Sequence, residues 1–229
     1  MNTKRKIEGG RYIRGFLFSL LLLSVTPINA EFYFSFNPGV EYSEAFSQTM
    51  TGTGTDELPS AASAPMLFTQ ADIGYIFPGN IALTFGPTIT STISGDHSFL
   101  FYGIQSTLFF NLKGKITPYL KFSLNKAEYY FYEQHGDWLS DSTTIDTALK
   151  GQFQTYLAGI LVPISNKISL TLEVGYMPAA VLTGSGTKDV NQLLGPDTTT
   201  TYDNLKLNIE GGVFRFGVSF HFTTAKNNQ

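Results

Sequence analysis

The chain has 229 residues, no cysteine and a formal net charge of −3, and only 14% of its residues are charged, against about 25% in ordinary soluble domains. The lack of cysteine excludes disulfide bonds and thiolate metal sites, and the acidic balance argues against nucleic acid as a partner. At this size one folded domain is expected.

The first thirty residues have the pattern of a secretory signal peptide. Five basic residues precede the apolar stretch GFLFSLLLLSV, and the small residue Ala30 follows it. This stretch is too short for a transmembrane helix, which needs about 20 apolar residues. We therefore predict a signal peptide over residues 1–30, cleavage after Ala30, and one domain over residues 31–229. The alternative is an uncleaved amphipathic anchor.

Alternation of apolar and polar residues predicts eight strands in the rest of the chain. Their expected bounds are 32–46, 67–77, 81–93, 98–112, 116–132, 151–164, 168–182 and 204–222. Short turns that contain Gly or Asn, at 78–80, 113–115 and 165–167, alternate with the long polar segments 47–66, 133–149 and 183–203. An even strand number with short turns at one end and long loops at the other is typical of outer-membrane barrels. The predicted fold class is all-β, an eight-stranded antiparallel transmembrane β-barrel of the bacterial outer membrane with short periplasmic turns and long extracellular loops.

The last predicted strand shows the two faces of the barrel wall most clearly. From Phe214 to Phe222 every second residue is apolar, and polar residues lie between them. Because the chain has too few charges to cover the outside of a soluble barrel, we expect the apolar face to contact the lipid bilayer. Earlier in the strand, Leu205 to Ile209 have the opposite parity, which predicts a β-bulge at Gly211 and Gly212.

The opposite face of the strands is expected to line the interior of the barrel. Several charged residues have this parity in mid-strand: Asp72, Lys121, Glu173, Lys206, Glu210 and Arg215. Unpaired charges are costly in a low-dielectric interior, so these groups are expected to form ion pairs. Two alternatives follow, an interior plugged by paired charges or a wetted polar path.

The end of the chain contains a pattern that resembles the β-signal of outer-membrane barrels. Its positions are a polar residue, a glycine, a hydrophobic residue and an aromatic residue, here Arg215, Gly217, Phe220 and Phe222. The resemblance implies that the outer-membrane barrel assembly machinery is a partner. Barrels with this signal usually end at the aromatic residue, whereas seven residues follow Phe222 here.

Around the fifth predicted strand, GKITPYLKFSLNKAEYYFYE resembles a stretch of OmpW-type small outer-membrane proteins, and LKLNIEGGVFRFGVSFHF is similar to that family's last strand without its usual tryptophan. The resemblance implies a barrel that takes small hydrophobic solutes across the outer membrane through a narrow, partly apolar lumen with a sideways exit. Pro178 interrupts strand seven, which would open a gap between strands. The matching rim or gate is an aromatic set: Phe101, Tyr129, Phe131 and Tyr156. Alternatively, these rings form the interfacial girdle and Pro178 ends the strand.

A second class of function is display of the long loops, with a plugged lumen and an adhesin-like role towards a host surface ligand. An enzyme is not expected. The groupings Asp96-His97-Ser98, His135 with Asp137, and Ser219 with His221 do not combine a nucleophile, a base and a carboxylate at one place. No cofactor and no metal site are expected.

Overall fold

Eight antiparallel strands form one closed barrel in the computed structural model, which describes residues 31–44, 50–52, 65–92, 97–112, 114–135, 142–192 and 195–223. The strands are β1 (Glu31–Ser43), β2 (Met66–Phe77), β3 (Ile81–Thr92), β4 (His97–Phe109), β5 (Thr117–His135), β6 (Ser142–Pro163), β7 (Ile168–Asn191) and β8 (Thr198–Thr223). Each strand pairs with the next, and β8 pairs with β1. The predicted fold class is confirmed. The predicted signal peptide lies outside the described residues and stays a prediction.

The two halves of the barrel differ in height. Strands β1 to β4 have 12 or 13 residues, whereas β5 to β8 have 19, 22, 24 and 26. Because about 9–11 tilted residues cross a bilayer, the long strands must project beyond it. Our predicted bounds for β6 to β8 were too short. Residues 142–150, 183–191 and 198–203 are rich in Thr, Gly and Asp, a composition typical of loops, but here they continue the strands.

The short turns and the two ends of the barrel chain lie together at one end, which is the periplasmic end. Gly79 and Asn80 make the turn between β2 and β3 with φ values of 87° and 62°. Gly and Asn adopt such left-handed backbone conformations most readily. Residues 164–167 form the turn between β6 and β7. None of the described residues forms a helix long and apolar enough to cross a membrane.

The main irregularity of the ladder lies in β7. Met177 pairs with Gly211 and Ala180 pairs with Ile209, so Pro178 and Ala179 together oppose Glu210 alone. This two-against-one arrangement is a β-bulge, and it changes the parity of β7. Our prediction placed the bulge at Gly211 and Gly212 in β8, which is wrong because β8 keeps one inward parity throughout.

The outer face of the barrel carries an apolar band that includes part of every strand. The exposed large side chains include Phe34, Ile73, Phe85, Ile104, Leu120, Val162, Val174 and Phe216. The terminal phenylalanines 214, 216, 220 and 222 point outward and are 38–51% exposed, as the alternation predicted. A soluble barrel would expose charges over the same area.

The interior is divided into three layers. At the periplasmic end, a small apolar cluster contains Tyr33, Ile76, Ala82, Phe109, Tyr119 and Leu161. A layer of charged and amide side chains lies above it. The extracellular half holds a larger cluster, which we call the upper apolar cluster: Met50, Met66, Phe99, Phe101, Ala127, Tyr129, Phe131, Ile145, Leu149, Phe153, Leu157, Met177, Leu182, Tyr202, Leu205, Leu207, Ile209 and Val213.

Candidate functional site

Arg215 stands at the centre of the charged layer, between its neighbours on both adjacent strands. It is in register with Glu41 on β1 and with Glu173 on β7. Its Nε donates to Glu41 Oε2 at 2.7 Å, and its terminal nitrogen Nη1 lies 3.7 Å from Glu173 Oε2. One guanidinium therefore connects the first, seventh and eighth strands.

Glu173 also connects the seventh strand to the opposite side of the layer. Lys121 of β5 forms an ion pair with Glu173 Oε1 and donates to Gln70 Oε1 at 3.0 Å. The Tyr119 hydroxyl donates to the same carboxylate oxygen at 2.8 Å. To reach it, the Tyr119 ring crosses β6 at Gly159, where an added Cβ would lie 2.4 Å from Tyr119 Cζ. The glycine thus provides the space that this hydrogen bond needs.

Asp72 completes the layer through amide partners. Gln105 Nε2 donates to Asp72 Oδ1 at 2.9 Å, and Asn37 Nδ2 donates to Asp72 Oδ2 at 3.2 Å. These contacts link β1, β2 and β4. Together with the ion pairs described above, they extend the polar layer across the barrel interior.

The layer fills the barrel at mid-height. Its three carboxylates and two cations belong to Glu41, Asp72, Glu173, Lys121 and Arg215, and each residue is at most 5% exposed. An eight-stranded barrel is just wide enough for its own side chains to fill it. Buried charges persist only when they are paired and hydrogen-bonded, as most of these are. The arrangement favours the plugged interior over an open polar path.

The predicted interior residues divide into two groups. Asp72, Lys121, Glu173 and Arg215 lie inside the barrel, whereas Lys206 and Glu210 are exposed on its outer surface. The prediction for Lys206 and Glu210 is therefore wrong. They lie in the upper half of β8, where the strand projects beyond the apolar band, so the outer face meets water and the apolar residues turn inward.

The predicted aromatic set is also divided. Phe101, Tyr129 and Phe131 are at most 3% exposed and belong to the upper apolar cluster. The ring centroids of Phe101 and Phe153 are 5.0 Å apart, and those of Phe99 and Tyr129 are 4.4 Å apart. These rings form a continuous apolar lining within the extracellular half.

Tyr156 has a different place. It lies on the outer face, 48% exposed, with its ring 5.1 Å from that of Phe122. This position is the one that the girdle alternative requires, so an inward gate role for Tyr156 does not fit. Its cross-strand neighbour is Tyr176, which is also exposed.

The pairing between β6 and β7 is interrupted directly above these two tyrosines. The ladder runs up to Tyr156 and Tyr176, and it resumes only at Lys150 and Thr183. Residues 151–155 and 177–182 are therefore out of register with each other, at the height of the Pro178 bulge. On the inner side of this region lie Phe153, Met177 and Leu182 of the upper apolar cluster.

The predicted β-signal residues lie on both faces of the last strand. Arg215 belongs to the charged layer, and Gly217 lies inside the barrel wall, where an added Cβ would lie 3.0 Å from the Phe68 ring. Phe220 and Phe222 are exposed near the periplasmic end. Recognition by the assembly machinery stays a prediction.

The prediction overlooked several residues of this site. Glu41 alternates with the outward Val40 and Tyr42, so its parity alone would have placed it inside. Tyr119 shares the inward parity of Lys121, but parity does not show its hydrogen bond to Glu173. Met50 lies in a segment that we interpreted as a loop. From the sequence, we considered three groupings that contain a histidine as possible catalytic groups. In two of them, the side chains of residues 96, 97, 135 and 137 lie outside the described region. Within the described region, no group of three His, Cys, Asp or Glu is placed to hold a metal ion.

An apolar outer surface around a closed ring of paired strands, with charges buried inside, is the inverse of a soluble protein. In a bilayer every backbone polar group must be paired, and a closed barrel meets that requirement. These features define the class of the protein as a transmembrane β-barrel of the bacterial outer membrane, in contact with lipid. The fold expected from the OmpW-type resemblance is the one observed.

A scan against protein-family models and a search of curated proteins find no match for the chain. Solved structures with low similarity include outer membrane protein AlkL, with 17% identity, 100% of both chains covered and a TM-score of 0.41. Neisserial surface protein A has 12% identity, with 85% of this chain and 99% of that chain covered and a TM-score of 0.40. The Pseudomonas putida toluene transporter TodX has 9% identity, with 89% and 70% covered and a TM-score of 0.42. Similarity this low carries no argument about family or function, so the class rests on the geometry of the chain itself.

Proposed function

We propose that this barrel takes small hydrophobic solutes from outside the cell into its upper apolar cluster and releases them sideways into the outer membrane. The observation that carries the proposal is the change of polarity inside the barrel. The extracellular half is lined by aromatic and aliphatic side chains, and the middle is closed by the charged layer.

The upper apolar cluster favours an apolar solute, whereas the charged layer disfavours it. Burial of apolar surface stabilises the solute in the upper cluster by about 25 cal/mol per Å². Passage through the charged layer would separate Arg215 and Lys121 from their carboxylate partners, which leaves buried charges unpaired. The straight path to the periplasm is therefore unfavourable, and a route through the wall is needed.

The irregular region of the wall supports the position of that route. The interruption between β6 and β7 lies just above Tyr156 and Tyr176, where the outward residues change from apolar to polar. Because ladder hydrogen bonds are interrupted there and Pro178 has no N–H to donate, separation of the strands breaks fewer bonds at this height than elsewhere. The OmpW-type resemblance implies a similar exit.

Uptake of an apolar dye by intact cells tests the proposal. N-phenyl-1-naphthylamine fluoresces when it enters lipid, and its uptake should be faster in cells that produce the barrel than in matched cells without it. A charged dye of similar size should show no such difference, because the charged layer and the periplasmic cluster close the polar path. Equal uptake of the apolar dye in both kinds of cell contradicts the proposal.

A second candidate function is display, and one observation favours it. The upper ends of β5 to β8 project beyond the other strands, and residues 198–201 at the top of β8 are exposed threonines. Such a projection presents a surface to a host ligand without any transport. Replacement of residues 183–203 by a short Gly-Ser turn should then abolish adhesion to host cells and leave the barrel folded. Adhesion that survives this replacement contradicts display by this projection.

A further inference from the structure

A short piece of the chain between β1 and β2 is attached to the upper half of β8. The Thr51 N–H donates to the Lys206 carbonyl at 2.9 Å, and the Lys206 N–H donates to the Thr51 carbonyl at 2.8 Å. The two residues form an isolated antiparallel bridge, and both are exposed. The pairing of β1 with β8 ends lower down, at Ser43 and Val213.

This attachment places Met50 inside the barrel and Gly52, which is itself exposed, against the buried Leu205. Met50 is 2% exposed and belongs to the upper apolar cluster. Gly52 lies against Leu205, where an added Cβ would be 2.9 Å from Leu205 Cδ2. The Met50 side chain therefore occupies space within the apolar lining that the barrel strands provide.

We propose that the upper apolar cluster is a binding site for a small uncharged apolar molecule, that Met50 fills this site in the absence of solute, and that the solute displaces residues 50–52. This inference rests on the proposed function and adds the site where the solute is held. A methionine side chain is unbranched, flexible and apolar, so it resembles a short aliphatic chain in shape and polarity. Displacement breaks the isolated bridge between Thr51 and Lys206, which consists of two backbone hydrogen bonds, and the hydrogen bond that the Thr51 hydroxyl donates to the Lys206 carbonyl at 3.5 Å.

Removal of the Met50 side chain tests the occupancy of the site. We expect purified Met50→Ala to bind N-phenyl-1-naphthylamine on the order of tenfold more tightly than the unchanged protein, because the dye no longer competes with a buried side chain. The aliphatic alcohol n-octanol should compete with the dye. Met177→Ala is not a suitable control, since Met177 belongs to the same cluster; Ile73→Ala, which removes an apolar side chain from the outer face of β2, should leave dye binding unchanged.

A disulfide bond tests the displacement. The chain has no cysteine, so Thr51→Cys combined with Lys206→Cys can form only one bridge. Residues that exchange both backbone hydrogen bonds have Cα atoms about 5.5 Å apart, which suits a disulfide. The oxidised protein should bind the dye at least several-fold more weakly than the same protein after reduction, and Lys206→Cys alone should not respond to reductant.

The outcomes separate this inference from the proposed function. Equal dye binding by the unchanged, Met50→Ala and oxidised proteins, all folded by their heat-modifiable migration on gels, overturns the inference. Tighter binding by purified Met50→Ala without any dye uptake by cells supports the site and contradicts transport. Uptake that is the same for the oxidised and reduced protein overturns the displacement.

Discussion

Arg215 and Glu41 are direct cross-strand neighbours on the last and the first strand of the barrel, and Arg215 Nε donates to Glu41 Oε2 at 2.7 Å. Both side chains are buried, and a second carboxylate, that of Glu173, lies on the other side of the guanidinium. The closing seam of the barrel is thus held by a charged contact as well as by backbone hydrogen bonds. The same arginine occupies the polar position of the predicted β-signal.

Loss of this arginine should destabilise the folded barrel. Arg215→Ala leaves Glu41 without its ion pair and Glu173 with one partner fewer, and breaking a buried pair costs about 3–5 kcal/mol. We expect the free energy of unfolding, measured in urea on purified protein refolded in lipid, to fall by this amount. The assembly machinery is absent from this measurement. Lys150→Ala is the control, since Lys150 pairs with Glu128 on the exposed surface at 3.4 Å, and such pairs contribute about 1 kcal/mol or less. Equal losses for the two variants contradict the structural role of Arg215.

The close approach of Tyr119 to Gly159 predicts an effect of a single methyl group. Gly159→Ala places a Cβ against the Tyr119 ring and displaces its hydroxyl from Glu173, and overpacking of this kind costs about 1–3 kcal/mol. Gly212→Ala is a matched control, because the nearest atom to its added Cβ is Glu44 Oε2 at 3.8 Å. We expect the first variant to lower the urea midpoint of unfolding and the second to leave it nearly unchanged. A midpoint that is unaffected by Gly159→Ala shows that the ring does not occupy this place.

The β-signal predicts a dependence of assembly on the last strand. Phe220→Asp should strongly reduce the amount of barrel in the outer membrane of cells. Phe32→Asp is the comparison, because Phe32 is an exposed lipid-facing residue near the same end of the barrel on β1. Both changes put a charge against lipid, but only the first alters the signal. Equal amounts of the two variants in the membrane show that contact of the charge with lipid, not recognition of the signal, explains the reduced amount of barrel.

The predicted signal peptide gives a simple expectation for the exported protein. Cleavage after Ala30 leaves Glu31 as the first residue, which is also the first residue of β1. Intact-mass measurement of protein purified from the outer membrane should give the mass of residues 31–229. A mass that includes residues 1–30 supports the uncleaved anchor instead.

The sequence was sufficient to predict which face of the wall a residue occupies in the membrane-embedded region of the barrel. It was insufficient for the same prediction above that region. Within the bilayer a single rule holds, apolar residues outward and polar residues inward, and it places Phe216 outside and Glu173 inside. Above the bilayer the outer face meets water, so the same rule inverts. That inversion explains why Lys206 was assigned to the wrong face, and why the change of pattern in β8 was interpreted as a bulge.

The contacts across the barrel interior could not be predicted from the sequence, for a different reason. Alternation states which face a residue occupies, but it does not give the register between strands that are distant in the chain. The bridge between Thr51 and Lys206 joins residues 155 positions apart, and the pair of Glu41 and Arg215 spans 174 positions. The stagger of the closed ring sets both contacts.

The exit that we propose for the solute lies in the irregular wall at Pro178. Pro178→Ala combined with deletion of Ala179 gives β7 an N–H at this height and one residue, instead of two, opposite Glu210. Pro163→Ala, at the periplasmic end of β6, is the control for loss of a proline. The decisive measurement is the initial rate of N-phenyl-1-naphthylamine uptake by cells that carry equal amounts of each folded variant. We predict that the Pro178 variant takes up dye no faster than cells without the barrel, while Pro163→Ala matches the unchanged protein; an undiminished rate in the Pro178 variant would contradict a sideways exit at this place.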